Sequence, residues 1–459
     1  MSTYMTRHPG VPARVARRVA GAATLLASLA LAACSVDEVL EVPDPDVATP
    51  GSVADKSALP VLRAGAVSDF ARGFAGGGDA EDGLVQNGGL LADELEWAET
   101  FPTRREFDSR NMQVVNGNIN TMMRNAQRGR ASSGRAARAY ERFDATNPQA
   151  AEMRNLEGLM LTLIGEHFCN GVPISELTDD GSTTFGDPQS GVQLYNAAIA
   201  SHDKALTIVG SQTGATAAAQ ANLARIGRAR ALLDLGRFAD AAAAVSAVPT
   251  SFVYSTDHSE NSSRQNNGVF VVMAVNRRFS VADREGVNGL PFRSDADPRT
   301  LSPRGTGAAA LGFDGTTPLF LPAKYPNRSA SIVVASGVEA RLIEAEAALQ
   351  AGSVATFLQI HNTLRSANGL AALTDPGTPA GRVDLHFKER AYWLFLTAHR
   401  LGDLRRLARQ YQRGVESIFP TGTYPASKGG GAYGVDVNFP VPFDETNNPR
   451  FTQCTDRSP

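Results

Sequence analysis

The sequence predicts a mainly α-helical protein that is built from tetratricopeptide-like helical hairpins, with loop-rich inserts and a few short strands. Long segments repeat apolar residues at helical spacing, and two pairs of these segments meet at a tight turn that contains glycine. Two stretches rich in Gly, Pro, Asn and Asp interrupt the helices. Of the 459 residues, 42% are hydrophobic, which is enough for a large buried core.

Residues 1–33 have the composition of a secretory signal peptide. Four arginines and no acidic residue accompany an apolar run that is too short for a membrane-spanning helix. The run ends in Leu31, Ala32, Ala33 and Cys34, the order of a lipobox, in which small side chains precede the cysteine that is acylated. We therefore predict that Cys34 carries acyl chains, palmitate among them. The alternative is a structural thiol that follows a signal peptide by chance.

The residues after the signal peptide are predicted to form a tether and one folded domain. Residues 34–50 are acidic, rich in proline and without periodicity, which is typical of an extended linker. Several acyl chains on one cysteine exceed the two signals that stable membrane attachment needs. We therefore expect the folded domain, residues 51–459, to lie outside the cytoplasm and to be held at a membrane by its lipid.

The charge of the chain argues against one class of partner. Four of the 44 basic residues and none of the 47 acidic residues lie in residues 1–33, so the chain from Cys34 onward is more acidic than the formal net charge of −3. Nucleic acids and anionic surfaces attract basic proteins, so neither is expected as the main partner.

Two further cysteines remain once Cys34 is acylated. Cys169 and Cys454 would lie in an oxidising compartment, where the two can form a disulfide. Two separate buried thiols are the alternative, because a sequence does not show whether two Cα atoms come within bonding range.

Seven segments are predicted to be helical from their apolar periodicity: 54–74, 114–130, 150–168, 191–209, 217–248, 339–350 and 354–366. Within 217–248, Gly236 permits a chain reversal, Phe238 fills the space between two helices, and Ala241 allows close packing, as in a tetratricopeptide hairpin. The last two segments form a second predicted hairpin that turns at Gly352. Two ordinary helix pairs of an all-α domain are the alternative.

Two loop-rich stretches, 251–332 and 419–442, are predicted to lie on this helical scaffold. Short apolar runs such as 269–273 indicate a few strands within the first of them. Irregular loops that a rigid scaffold holds in place are where binding surfaces usually occur.

The sequence contains no motif of a catalytic, cofactor or metal site. It has no Walker loop, His-Glu-x-x-His, Gly-x-Ser-x-Gly or Cys-x-x-Cys pattern, and its seven histidines are scattered. Asp93, Glu94 and Glu96 are the carboxylates that a hydrolase could use, but they lie in no recognisable context. We therefore predict a protein that is not an enzyme and that has no catalytic residue, no metal and no cofactor.

One long helix is predicted over 387–406, and the order of its residues resembles a motif of the SusD/RagB family. Its apolar side chains form a buried stripe: Phe387, Ala391, Leu394, Phe395, Ala398 and Leu401. The polar residues that follow the family's order are Glu389, Arg390, His399, Arg400, Asp403, Arg405 and Arg406. Trp393 and Thr397 replace two glutamates of the family pattern, and Ala398 replaces its glycine.

Further motifs follow in the same order as in that family. They are 151–152 with Gly171-Val172-Pro173, Asp297-Pro298-Arg299, Lys324-Tyr325, Asn362 to Arg365 with Gly369-Leu370, Phe439-Pro440-Val441-Pro442 with Glu445, and Asn448-Pro449-Arg450-Phe451-Thr452-Gln453. Each is short, and their shared order over most of the chain carries the resemblance. It implies a fold with four tetratricopeptide-like hairpins.

The resemblance also implies a function. Proteins of this family are surface-exposed, lipid-anchored proteins of the outer membrane that bind a nutrient, an oligosaccharide or a peptide, and pass it to a SusC-like TonB-dependent transporter. Trp97 and Phe101 are the first candidates for ligand contact, because the family often places such contacts soon after a comparable Asp-Glu pair. Phe320 and Tyr325 come next, and each of the four could instead be a core aromatic. A lipid-anchored tetratricopeptide scaffold of the periplasm or outer membrane is the alternative function.

Overall fold

The computed structural model of the protein describes residues 55–79, 82–178, 182–452, 454 and 457–459. The predicted signal peptide, the acylated Cys34 and the tether 34–50 lie outside these residues. Within the described part of the chain, every helix is too short or too polar to cross a membrane.

Helices dominate the architecture and pack as a series of pairs. In chain order the longer helices are α1 (Leu59–Ala75), α2 (Leu84–Leu91), α3 (Pro102–Asp108), α4 (Gly117–Phe143), α5 (Pro148–His167), α6 (Gly191–Val209), α7 (Ala215–Asp234), α8 (Phe238–Val245), α9 (Gly337–Gln350), α10 (Val354–Ala367), α11 (Pro379–Trp393) and α12 (Arg400–Tyr411). Four packed pairs follow one another: α1 with α4, α5 with α6, α7 with α8, and α9 with α10. Neighbouring pairs also contact each other, which confirms the predicted tetratricopeptide-like fold.

Local signals in the sequence set the ends of these helices. Ser190 and Gln193 form a capping box at the start of α6, so the predicted range 191–209 is also the observed one. The predicted helix 217–248 is a hairpin, because the chain reverses at Gly236 with a φ of +70°. Phe238 then packs edge-on against Tyr411, and Ala241 is fully buried, as a close helix pair requires.

Short antiparallel strands connect the helices. The strands are β1 (Leu95–Trp97), β2 (Val172–Pro173), β3 (Glu176–Leu177), β4 (Thr183–Thr184), β5 (Pro188–Gln189), β6 (Val253–Thr256), β7 (Phe279–Val281) and β8 (Ile332–Ser336). They pair as β1 with β7, β2 with β5, β3 with β4, and β6 with β8. The β1–β7 pair joins the first quarter of the chain to the loop-rich insert, and it organises the candidate site.

The apolar run 269–273 is helical, which corrects the expectation of a strand. One turn of α-helix, Gly268–Phe270, continues as a π-helix over Val271–Val275. Asn267 begins it, since its side chain accepts a hydrogen bond from the backbone N–H of Phe270 at 2.9 Å. Four of its side chains are buried, and three of them, Val269, Val272 and Met273, have the i, i+3, i+4 spacing of one helix face. The fourth is Val271. A run this short does not distinguish a strand from a helix.

The predicted helix 387–406 is also corrected, because the chain breaks between α11 and α12. Leu396 and Ala398 have left-handed backbones, with φ of +50° and +61°. Buried polar side chains form hydrogen bonds with the backbone N–H and C=O groups that have no helical partner at the break. Glu94 accepts a hydrogen bond from the Leu396 N–H at 2.7 Å, and Arg230 donates to the Ala398 carbonyl at 2.7 Å.

Several motifs that carry the family resemblance meet around this break. Glu389 accepts hydrogen bonds from Arg299 at 2.7 Å and from Arg365 at 2.6 Å, so three separate motifs form one buried ion cluster. Lys324 donates to the Phe395 carbonyl at 2.5 Å. These motifs therefore specify packing between distant segments of the chain.

A disulfide ties the C-terminal segment to the helical scaffold. Cys169, just after α5, is bonded to Cys454, and their Cα atoms are 6.2 Å apart. Phe439 lies beside this link, because its N–H donates to the His167 carbonyl and its carbonyl accepts from the Cys169 N–H. The sequence allowed this pairing without deciding it.

Candidate ligand-binding face

The candidate site is built on the outer side of the β1–β7 pair, the side of Glu96 and Ser280. Ser280 itself is buried there, because the segment 318–320 covers it. Glu96 lies opposite Ser280, and Trp97 lies opposite Phe279. Side chains alternate along a strand, so Glu96 and Ser280 project away from the side that Trp97 and Phe279 share. The pairing extends one step further, where the Ala98 N–H donates to the Arg278 carbonyl at 2.8 Å. Arg278 is two residues from Ser280 and therefore points to the same outer side.

At one end of this outer side, two phenylalanine rings form an exposed pair. Phe101 and Phe313 stack with centroids 5.8 Å apart and planes at 19°. Their exposed fractions are 47% and 48%, which is high for aromatic side chains that touch each other. The guanidinium of Arg278 lies 5.3 Å from the centroid of the Phe101 ring.

The turn that carries Phe313 lies directly on the end of β1. The Phe313 N–H donates to the Arg277 carbonyl at 2.7 Å, and the Asp314 N–H donates to the Ala98 carbonyl at 3.1 Å. A Cβ atom at Gly312 would be 2.5 Å from the Ala98 carbonyl oxygen, so this approach requires glycine. The sequence thus fixes where the Phe313 ring stands.

At the other end, a third phenylalanine lies between arginines. The Phe320 N–H donates to Ser280 Oγ at 3.0 Å, which places Phe320 next to β7. The guanidinium of Arg293 is 3.9 Å from the centroid of the half-buried Phe320 ring. Arg304 pairs with Phe320 in an antiparallel bridge, so the two side chains leave the backbone on the same side.

We call this surface the β1–β7 face. It consists of Glu96, Phe101, Arg277, Arg278, Arg293, Arg304, Phe313 and Phe320. Flat rings of this kind can stack on the apolar faces of sugars, and guanidinium and carboxylate groups can fix the orientation of hydroxyls. The arrangement is suited to binding.

A buried cluster supports the face from below. Lys428 Nζ lies 3.1 Å from a carboxylate oxygen of Glu96 and 3.6 Å from one of Asp108. These two carboxylates raise the pKa of Lys428 although burial opposes the charged form. Burial, followed by the charge of Asp108, raises the pKa of Glu285 well above its usual value. The cluster connects the loop around residue 428 to β1 and α3.

The structure gives different roles to the four predicted ligand contacts. Phe101 and Phe320 lie on the β1–β7 face, and their contact with a ligand stays a prediction. Trp97 is 7% exposed, and its indole N–H donates to the Phe101 carbonyl at 3.2 Å, so it supports Phe101 from behind. Tyr325 is 3% exposed, and its hydroxyl donates to the Leu396 carbonyl. Burial and this hydrogen bond give Tyr325 a structural role, and its contact with a ligand stays a prediction.

Phe313 and the arginines of the face were not identified from the sequence. Phe313 stands in the string Gly312-Phe313-Asp314-Gly315, whose residues favour a tight turn. An aromatic side chain at the tip of such a turn has few neighbours to bury it, and this signal could have drawn attention to Phe313. The arginines carry no local signal, because they come together only through the pairing of β1 with β7.

The three carboxylates that a hydrolase could use do not share a site. Asp93 is buried and accepts two hydrogen bonds from Arg400, at 2.6 and 2.8 Å. Glu94 is buried at the helix break, where desolvation raises its pKa to about 8. Glu96 alone points to the β1–β7 face. Across the described residues, no group of three His, Cys, Asp or Glu side chains is placed to hold a metal ion.

Comparison with known proteins identifies the fold. No protein-family model and no curated protein sequence matches the chain. Among solved structures, a SusD superfamily protein from Bacteroides thetaiotaomicron is similar with a TM-score of 0.62 and 16% identity, over 87% of this chain and 99% of that one. A laminarin-binding SusD-like protein gives 0.61 and 14% over 87% and 99% of the two chains. A SusD-like carbohydrate-binding protein from Bacteroides vulgatus gives 0.59 and 13% over 82% and 88%. The chain has the SusD-like fold.

Proposed function

We propose that this protein is a SusD-like lipoprotein that binds an oligosaccharide on the β1–β7 face and delivers it to a SusC-like TonB-dependent transporter in the outer membrane. The SusD-like fold supports this proposal, because two of the similar structures are a laminarin-binding and a carbohydrate-binding protein. The observation that carries it is the exposed Phe101–Phe313 pair at the end of the β1–β7 face. The two rings contact each other while both stay half exposed, so they form a contiguous apolar patch, and such patches often mark recognition surfaces.

Binding on this face would use two kinds of contact. The rings of Phe101 and Phe313 offer an apolar surface to the C–H side of a sugar, while Arg278 and Glu96 offer donors and acceptors to its hydroxyls. Trp97 and the Phe313 turn hold this surface in place before a ligand arrives, which lowers the entropic cost of binding.

Delivery of the oligosaccharide would depend on the transporter and on the lipid anchor. In the proposed assembly Cys34 holds the protein at the membrane through acyl chains and residues 34–50 give it reach, while the transporter supplies the energy for import. The carboxylates near the face are engaged in structural ion pairs, so we propose a binding protein without catalytic activity.

Ligand binding is tested by calorimetric titration of the purified lipoprotein with a panel of oligosaccharides, laminarin fragments included. We expect Phe101→Ala and Phe313→Ala each to weaken binding about tenfold, which corresponds to roughly 1.4 kcal/mol. Phe185→Ala is the matched control, since Phe185 is an aromatic residue that is 42% exposed and is not part of the face. Equal binding by all four proteins would rule out the β1–β7 face as the site.

The transporter partnership is tested by pull-down of the tagged lipoprotein from detergent-solubilised outer membranes. Near-equal recovery of a large TonB-dependent barrel supports delivery to a transporter. Recovery of the lipoprotein alone, or with periplasmic assembly factors, contradicts it and favours the tetratricopeptide scaffold.

A further inference from the structure

We infer that the oligosaccharide bound on the β1–β7 face is anionic, with carboxylate or sulfate groups that the arginines of the face recognise. This inference rests on the proposed function, and it adds the chemical class of the ligand. It depends on four arginines that surround the three phenylalanine rings: Arg277, Arg278, Arg293 and Arg304.

Two of these arginines have no carboxylate partner among the described residues. The guanidinium of Arg277 donates to the Ala308 carbonyl at 2.8 Å and forms no ion pair, and Arg304 forms none either. Arg277 stands next to Phe313, because its carbonyl accepts the Phe313 N–H. Arg304 stands across from Phe320. Each end of the face therefore has one positive charge without a carboxylate partner in the part of the chain that the structure describes.

The carboxylates near the face are already engaged elsewhere. Glu99 is buried and bonds to Arg278 at 3.0 Å and to Arg104 at 3.5 Å. Asp314 accepts the N–H groups of Thr316 and Thr317, both at 2.9 Å. Asp283 accepts the N–H of Arg293 at 3.0 Å and that of the next residue, Ser294. None of these carboxylates forms an ion pair with Arg277 or Arg304.

Glu96, the remaining carboxylate, lies between two cationic side chains. One of its oxygens lies 3.1 Å from Lys428 Nζ, and the other lies 3.8 Å from the guanidinium of Arg293, which is a long contact. The Arg293 side chain is 24% exposed, so part of its guanidinium stays open to solvent beside the Phe320 ring. An anionic group of a ligand would give this weakly paired guanidinium a closer partner.

The positive charge of the β1–β7 face differs in sign from the net charge of the whole chain. The chain carries a formal net charge of −3, so most of its surface does not attract anions. The guanidinium groups of Arg277, next to the stacked rings, and of Arg304, across from Phe320, form a local exception. Guanidinium forks match the planar geometry of carboxylates and the oxygens of sulfate, which gives the face a preference for acidic over neutral sugars.

The test compares ligands that differ only in charge. The mature lipoprotein in detergent is titrated with oligogalacturonides and with their fully methyl-esterified forms, and with sulfated galactan fragments and their desulfated forms, at low and at high salt. We expect the charged member of one pair to bind at least tenfold more tightly, and we expect this advantage to shrink at high salt. The pair that shows the effect identifies carboxylate or sulfate as the recognised group.

Substitutions of single arginines then show which residues cause the tighter binding of the charged ligand. Arg277→Gln and Arg304→Gln are each expected to reduce the advantage of the charged ligand about tenfold with little change for the neutral one. Arg128→Gln on the exposed side of α4 is the control and is expected to leave both affinities unchanged. An unchanged advantage in both face variants would overturn the assignment to these arginines.

The outcomes separate this inference from the proposed function. Equal binding of charged and neutral oligosaccharides, with loss in Phe101→Ala and Phe313→Ala, overturns the inference and leaves the proposed function intact. Binding of no oligosaccharide of either kind overturns both.

Discussion

The hydroxyl of Tyr325 donates a hydrogen bond of 2.8 Å to the carbonyl oxygen of Leu396, inside the break between α11 and α12. Both residues are buried, so water cannot replace this hydrogen bond. The bond joins the loop-rich insert to the last helices of the chain. It gives Tyr325, an aromatic residue that follows Lys324 in a loop, a structural role in the fold.

We predict that Tyr325→Phe destabilises the protein by about 1–3 kcal/mol, because the Leu396 carbonyl is left buried without its donor. Urea unfolding measures the loss of stability. Titration of the variant with an oligosaccharide that the wild-type protein binds should show unchanged affinity. Weakened binding without a loss of stability would instead return Tyr325 to the ligand site.

The interrupted helix shows what the sequence could and could not predict. Most helices follow from periodicity and capping, since α5, α6, α9 and α10 lie within two residues of their predicted ends. The break before Arg400 could not be found in this way, because the apolar stripe continues across it. The break is stable because Glu94, Lys324, Tyr325 and Arg230 bond to its backbone, and these residues come from three distant segments.

Ala398 gives a second prediction, since its φ of +61° is unfavourable for a residue with a Cβ atom. Ala398→Gly relieves a strain of about 1–2 kcal/mol, while it loses the contacts of one buried methyl group, about 0.8 kcal/mol. Ala347→Gly in the interior of α9 is the control and should cost about 1 kcal/mol. We therefore expect Ala398→Gly to be more stable than Ala347→Gly by about 1 kcal/mol or more in urea unfolding. Equal losses would mean that position 398 carries no backbone strain.

Glu94 gives a third prediction, which concerns pH. The pKa of Glu94 rises from 4.5 to about 8 in the folded protein, because burial outweighs the hydrogen bond from the Leu396 N–H, which lowers the pKa. Of the nearby charges, Asp93 raises this pKa, and Arg400 and Lys324 lower it. Between these two values the folded state holds a proton that the unfolded state has lost, so stability falls as pH rises. As pH rises within this window, the free energy of unfolding of the wild type should fall by up to about 1.4 kcal/mol per pH unit relative to that of Glu94→Gln.

Unfolding of both proteins in urea at pH 5, 6 and 7 checks this difference. The comparison removes the contribution of the histidines, because they are common to both proteins. The Gln side chain retains an oxygen that can accept the Leu396 N–H, so the variant keeps the helix break. Parallel pH profiles would show that Glu94 is ionised in the folded protein.

The candidate face was predicted less completely than the fold, for a physical reason. Phe101 and Phe320 are aromatic residues of irregular segments, and both lie on the β1–β7 face. Tyr325 is also a loop aromatic but is buried, and its hydroxyl has an acceptor in the core. Whether a loop aromatic is exposed depends on contacts between segments far apart in the chain, and local composition does not report them.

The disulfide gives a fourth prediction. Cys169 and Cys454 are separated by 285 positions, so the bond restricts a very long loop in the unfolded chain. Cys454→Ser should lower the free energy of unfolding by roughly 2–4 kcal/mol. Addition of a reducing agent should lower the melting temperature of the wild type to that of the variant and leave the variant unchanged. A wild type that does not respond to reduction would contradict a stabilising bond.

Gly312 gives the last prediction, which connects backbone geometry to binding. A Cβ atom at this position would meet the Ala98 carbonyl oxygen at 2.5 Å, so Gly312→Ala must push the Phe313 turn away from β1. The ring pair then separates, and the affinity for the ligand should fall toward that of Phe313→Ala. Gly214→Ala is the control, because no atom lies within 4 Å of its added Cβ. Circular dichroism confirms that both variants remain folded, and an unchanged affinity of Gly312→Ala would show that the position of Phe313 does not limit binding.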